Sequence, residues 1–386
     1  MDSPADLLTA LVAIDSTNPD LVPGGAGEAG IARFIAGWLE ARGLDVRLQE
    51  AAPGRPNVIA VAHGSGGGPS LLLNGHMDTV GRGEFAAAHQ PRLEAGRLYG
   101  RGAYDMKGGL AACMLAAAAA AQRPLRGDLI LTAVVDEEYA SLGTEQALRT
   151  VRAEAAIVAE FTELRLVLAH KGFTWFDIET RGRAAHGSRP DLGVDAIAHM
   201  GRLLVDLEAL GRDLQKRPAH PLLGTGSLHA STIHGGREMS SYPERCTLAV
   251  ERRTLPGEQP ETLQAELEQL IRREAEADPT FEATVRPGLS RSPLETDQAA
   301  PLAQAVAEAA RQALGHPPDV AGVPFWTDAA LLAQAGIPSV LFGPSGLGAH
   351  AAEEWVDVAS VEACAQVYLR AAEAFCGQVT PGAPRT

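Results

Sequence analysis

The sequence predicts an α/β protein: a large domain on a mostly parallel sheet, interrupted by an inserted ferredoxin-like α+β unit. Three observations lead there. Wholly apolar strands alternate with helices over the first part of the chain, which reads as a parallel sheet covered on both faces. Near residue 172 the texture changes to alternating apolar and polar positions, and from about residue 291 the strand and helix alternation resumes. A chain of 386 residues is also too long for one typical core. The expected division is 1–172 and 288–386 for the larger domain and 173–287 for the insert.

Two helices open the chain, at 5–15 and 27–42. The second carries Ile31, Phe34, Ile35, Trp38 and Leu39 at helical spacing and stops at Gly43. Strands are expected at 45–50, 57–63 and 70–74, with the glycine-rich stretch 64–69 as a hairpin turn between the last two. An Ala-rich helix at 107–122, an apolar strand at 128–136, a helix at 143–151 and a short strand at 156–159 follow. Within the insert, Phe173, Trp175, Phe176 and Ile178 mark a strand at 173–180. A helix at 194–210, strands at 227–234 and 246–253, a helix at 260–276 and a strand at 281–285 complete a β-α-β-β-α-β order. A helix at 301–314, a strand at 339–342 and a helix at 358–375 return to the larger domain.

The bulk composition excludes several classes. A net charge of −15 is the wrong sign for tracking phosphates, so nucleic acid is not an expected partner. No apolar run is long enough to span a bilayer, and the opening Met1, Asp2, Ser3, Pro4 lacks the basic start of a signal peptide; a cytoplasmic location is expected. Cys113, Cys246, Cys364 and Cys376 show no C-x-x-C spacing and read as buried free thiols. The glycine run 64–69 leads into a strand and lacks a following Lys-Ser/Thr, and no G-x-G-x-x-G opens a helix, which counts against a nucleotide-dependent enzyme.

Five side chains carry the chemistry: His76, Asp105, Glu138, Glu160 and His350. Alone, each has an ordinary reading. His76 ends a buried strand, and Asp78 two residues on can accept its second N–H and fix the tautomer. Asp105 enters the Ala-rich helix and taken alone reads first as an N-cap, though a carboxylate there can also bridge two cations. Asp136, Glu137 and Glu138 end an apolar strand; neighbouring strand side chains point apart, so one Glu can bind metal while the other stands off as a base. Glu160 ends the next strand, and His350 follows the strand and glycine loop at 339–349. In a parallel sheet the carboxyl ends of strands share one edge, where ligands bind. Carboxylates and imidazoles without thiolate suit zinc, and also cobalt or manganese.

The strings His76-x-Asp78, Gly100-Arg101-Gly102 with Asp105-Met106-Lys107-Gly108-Gly109, Asp136-Glu137-Glu138, Ala185-His186-Gly187 and Gly348-Ala349-His350 closely resemble the di-zinc, M20-type amidohydrolase and peptidase family. That family includes acetylornithine deacetylase, succinyl-diaminopimelate desuccinylase, aminoacylase and glutamate carboxypeptidase. The resemblance implies that Asp105 bridges two metal ions, that His76 and Glu160 complete one, and that Glu138 and His350 complete the other. It further implies Glu137 as general base, His186 as a group stabilising the oxyanion, a cis peptide at Asp105–Met106, and an insert serving as lid and homodimerisation domain. In Glu251-Arg252-Arg253, Arg253 matches the arginine that holds a substrate carboxylate, while Ser240-Ser241-Tyr242-Pro243 departs from the family's Asn before Ile-Pro. Thr327, after Phe325 and Trp326, falls in a loop that relatives place near substrate.

The expectation is a metal-dependent hydrolase cleaving the amide of an N-acyl amino acid, most nearly of the acetylornithine deacetylase kind. A desuccinylase or a glutamate-type carboxypeptidase or aminopeptidase is the alternative within the class. A non-catalytic amino-acid-binding protein is disfavoured by the intact Glu137 and the five ligands.

Overall fold

The computed structural model describes residues 3–123 and 125–377. Met1 and Asp2, the first residues weighed against a signal peptide, lie outside them. The chain divides into two compact units: one runs to Leu168 and takes up Thr296–Ala321 and the chain from Thr327, and the other comprises Ala169–Glu295 with Gly322–Trp326.

The first unit is built on a twisted sheet with the strand order Asp45–Ala52, Arg55–Ala62, Leu129–Val134, Leu71–His76, Ala155–Val158, Ser339–Leu341 and Leu166–His170. Its middle strands, from Leu129–Val134 to Ser339–Leu341, are parallel to one another. The strands outside them join antiparallel. Both Leu71–His76 and Leu129–Val134 are buried at every position, which explains why they read as unbroken apolar runs. Full burial of each such Leu, Ile or Val side chain contributes about 1.5–3 kcal/mol.

One turn differs from expectation. Arg55–Ala62 and Leu71–His76 are not neighbours, because Leu129–Val134 lies between them and pairs with both. Residues 64–69 are therefore a crossing rather than a hairpin turn. Their glycines serve packing: a Cβ on Gly64 would lie 2.5 Å from Arg126 O, and one on Gly68 would lie 2.1 Å from Cys376 O. The tight hairpin lies earlier, between Asp45–Ala52 and Arg55–Ala62, where Gly54 adopts φ +74.

Helix Pro4–Ala13 starts at Ser3, whose side chain accepts from the Asp6 N–H. Helix Gly108–Ala120 is buried on nearly all sides, and its alanines let it sit close against its neighbours. Small sheets not read from the sequence also form: Arg92–Glu94 and Arg97–Tyr99 make a hairpin, and Arg97–Tyr99 pairs with Trp355–Asp357. Helix Val358–Cys376 closes the described chain. Among the described residues no helix is long and apolar enough to cross a membrane. All four cysteines are free and buried.

The second unit is a four-stranded antiparallel sheet in the order Ser227–Gly235, Arg245–Thr254, Gly172–Arg181, Glu282–Arg291. Helices Ala196–Leu214 and Pro260–Ala277 cover one face, completing the ferredoxin-like pattern. Its core is Phe176, Ile178, Met200, Leu203, Leu248 and Val250 with their neighbours. Phe173 and Trp175 fall on the opposite face from Phe176 and Ile178 and pack together, ring centroids 5.4 Å apart. Asp195 caps the first helix by accepting from the N–H groups of Ile197 and Ala198.

Candidate metal centre

The shared direction of the four middle strands puts their carboxyl ends at one edge, and the chain delivers its polar side chains there. His76 is the last residue of Leu71–His76, and Glu160 follows Ala155–Val158. Glu137 and Glu138 lie in a turn beyond Leu129–Val134 that begins at Asp136, φ +69. The turn changes one expectation: since the strand has already ended, the two glutamates do not alternate, and both reach the same cluster.

Asp105 stands at the centre. Its Oδ1 lies 3.2 Å from His76 Nε2, and its Oδ2 lies 3.1 Å from His350 Nε2. On the first side, His76 Nε2 is also 3.8 Å from Glu160 Oε1 and 4.0 Å from Glu137 Oε2. On the second, His350 Nε2 is 2.9 Å from Glu138 Oε2. Among the described residues, His76, Glu137 and Glu160 offer ligand atoms within 4.8 Å of one another, as do His76, Asp105 and Glu138. Asp105 makes no helix-capping bond, and the Asp105–Met106 peptide is cis.

The tautomer of His76 is set differently from expectation. Its Nδ1 lies 2.9 Å from the backbone oxygen of Asp78, with the Asp78 carboxylate farther off at 3.5 Å. That carboxylate is occupied elsewhere. It accepts the N–H of Glu137 at 3.1 Å, the N–H of Glu138 at 3.2 Å and Asn18 Nδ2 at 2.8 Å. Asp78 thus holds the backbone of both glutamates in place.

The electrostatics describe a cluster that wants positive charge. Burial, with Glu160 beside it, pushes Glu137 well above the carboxylate range. Burial raises Glu160 likewise, against the pull of His76. Glu138, buried and beside Asp105, is raised to about 7. Burial opposes charge on His76, yet its bond to Asp105 and the surrounding carboxylates raise it well above the usual imidazole value. Hydrogen bonds to Asp105 and Glu138 lift His350 to about 10. Asp105 itself is held low by the two imidazoles in spite of its burial. Carboxylates this close cannot all ionise without a compensating cation. One further atom points the same way: Glu138 Oε1 is buried with no hydrogen-bond partner. The donor set fits divalent cations of the zinc, cobalt or manganese type: His76, Asp105 and Glu160 could hold one, and Asp105, Glu138 and His350 could hold another.

A polar scaffold behind the cluster was not read from the sequence. Asn18 Nδ2 donates to both Asp78 and Asp136, and Arg55 joins Asp136 at 3.2 Å to Glu28 at 2.5 Å. Glu354, fully buried, receives the backbone of the Asp105 segment. These partners lie far apart in sequence, and no local motif announces them.

The remaining candidates are placed as follows. His186 belongs to the second unit, in an exposed loop, with Nδ1 2.8 Å from Ser188 Oγ. Arg253, on strand Arg245–Thr254, donates from Nε to Glu251 at 2.7 Å and lies over the Phe173 ring at 5.5 Å. Its neighbour Arg252 is buried and bound to Glu258. Thr327 is fully buried, and its Oγ1 accepts from the Ala329 N–H at 3.3 Å. That bond lies at the start of helix Ala329–Gln334.

The chain is similar to an acetylornithine deacetylase of Myxococcus xanthus, 34% identical over 96% of this chain and 97% of that protein. It is also similar to an N-formyl-4-amino-5-aminomethyl-2-methylpyrimidine deformylase of Bacillus subtilis, 28% identical over 90% of each. Among solved structures, a tripeptidase from Staphylococcus aureus shares the fold with a TM-score of 0.80 at 21% identity, covering 97% of this chain and 98% of that one. A family model matches residues 72–374, and with the whole-chain likeness it makes this chain a member of peptidase family M20/M25/M40.

Proposed function

We propose that the protein is a two-metal hydrolase that removes a small acyl group from the amine of an amino acid, in the manner of an acetylornithine deacetylase. The division of the Asp105 carboxylate between two imidazole sites carries the reading. Bound zinc ions would polarise the scissile carbonyl and acidify the attacking water. Glu137, whose burial raises its proton affinity, takes the proton from that water and returns it to the departing amine nitrogen. Asp78 holds Glu137 and Glu138 in register through their N–H groups. His186 is proposed to stabilise the oxyanion, and Arg253 to hold the substrate carboxylate, exchanging its bond to Glu251 for one to substrate. Thr327 is proposed as a weaker substrate contact: its hydroxyl accepts from the Ala329 N–H and keeps its own O–H to donate.

The second unit is proposed to form a homodimer. Its edge strand Ser227–Gly235 pairs on one side only and is exposed along most of its length, a template for a second copy. Four free thiols support a reducing, cytoplasmic setting.

The likeness to a deformylase favours one second reading, an N-formyl substrate. Amine release from N-acetylornithine, other N-acetyl amino acids, N-formyl and N-succinyl analogues and short peptides tests both. Zinc-loaded protein is expected to cleave the N-acetyl substrates fastest. Preference for N-formyl compounds would favour the second reading, and cleavage of peptides alone would overturn both.

A further inference from the structure

Glu354 lies four positions after His350 and is fully buried. Its Oε1 accepts the N–H of Tyr104 at 2.9 Å and of Asp105 at 3.0 Å. Its Oε2 accepts the N–H of Gly102 at 3.0 Å and Arg101 Nη1 at 2.7 Å. One carboxylate therefore gathers three backbone donors and a guanidinium, all from the segment that delivers Asp105. The link runs both ways. Arg101 Nη2 donates at 2.7 Å to the carbonyl of Ala351, next to His350, and Gly100 N donates at 3.0 Å to the carbonyl of Glu354 itself.

This arrangement joins two segments that are remote in sequence and that each end in a residue of the cluster. The direct contact between those residues, His350 Nε2 to Asp105 Oδ2 at 3.1 Å, depends on how the two backbones are held. The donors Gly102 N, Tyr104 N and Asp105 N all find an acceptor on this one carboxylate. A glutamine there offers one oxygen to a site built for two, and its NH2 would face N–H donors instead of accepting from them.

We propose that Glu354 is a positioning residue that fixes Asp105 relative to His350 and thereby sets the affinity for the cation beside Glu138 and His350, the second to bind. This rests on the two-metal reading of the cluster, and wild-type protein tests that reading in the same experiment.

Zinc is titrated calorimetrically into metal-free wild type, Glu354→Gln and Glu354→Asp, and the visible absorption of each protein loaded with cobalt(II) is compared. Wild type is expected to take up two equivalents. Glu354→Gln is expected to bind the second equivalent about 10–100-fold more weakly, the range found when groups supporting metal ligands are lost. Its cobalt spectrum should change, and excess metal should restore the wild-type spectrum. Glu354→Asp keeps the charge but draws it back by one methylene; it should also bind the second equivalent more weakly, and it serves as the test if the glutamine variant does not fold. Uptake of both equivalents with wild-type affinity and spectrum by the folded variants, even with a lowered Tm, would overturn the proposal. Failure of the wild type to bind two equivalents would instead overturn the two-metal reading itself.

Discussion

His350 Nε2 approaches Asp105 Oδ2 at 3.1 Å, leaving the other oxygen of the same carboxylate free to face His76. A carboxylate shared in this way between two nitrogen donors is shaped to lie between two cations. The neighbouring glutamates divide accordingly, Glu138 toward His350 and Glu160 toward His76.

Glu137 is assigned to proton transfer, and its replacement separates that role from metal binding. Glu137→Gln should lower kcat by about 10²–10⁴-fold, the range for loss of a general base, with zinc content unchanged. Loss of zinc by this variant would make Glu137 a ligand, as its closeness to His76 and Glu160 permits.

Asp78→Asn keeps the shape of the side chain but presents N–H where the N–H groups of Glu137, Glu138 and Asn18 now donate. Metal affinity should fall by about 10–100-fold, as for other groups that orient ligands. Zinc titration against a competing chelator reads this directly; an unchanged affinity would contradict the role given to Asp78.

Removal of metal should make stability depend on pH with a defined sign. Glu138 rises from an ordinary 4.5 to about 7. Between those values the folded protein keeps a proton that the unfolded chain releases, so stability falls as pH rises. His350 adds stability that is full below its ordinary 6.5 and lost as pH rises through about 10. Metal binding displaces these protons and strengthens with pH. The gap in Tm between zinc-loaded and chelator-treated protein should therefore widen from about pH 5 to about pH 8. A gap that narrows over that range would count against the assignment.

The fold holds Glu160 through close packing behind it. A Cβ on Gly109 would lie 1.8 Å from Ala159 O, a backbone atom of the residue before Glu160. Gly109→Ala should cost about 3 kcal/mol, the upper part of the usual range for overpacking, read by denaturant unfolding. A loss near zero would show that helix Gly108–Ala120 is free to shift.

What was legible in the sequence follows from range. Parallel strands must end at one edge, so His76 and Glu160, each at or just beyond a buried apolar run, are legible as neighbours in the sequence. The insert was legible because Phe176 and Ile178 alternate with polar positions. Contacts between distant segments were not legible. The bond from Asn18 to Asp136 and the bonds from Glu354 to the Asp105 segment carry no local pattern. Residues 64–69 look like a turn in sequence for a related reason: their glycines mark close packing rather than reversal, and local sequence does not show that another strand lies between the two they connect. At Glu137 and Glu138 strand alternation no longer holds, because Asp136 has already turned the chain.

The most direct measurement is a crystal structure of the zinc-loaded protein with anomalous scattering recorded at the zinc edge. Two peaks about 3.5–4 Å apart on either side of the Asp105 carboxylate are predicted, one beside His76 and Glu160 and one beside Glu138 and His350. A single peak, or peaks away from Asp105, would contradict the two-metal account.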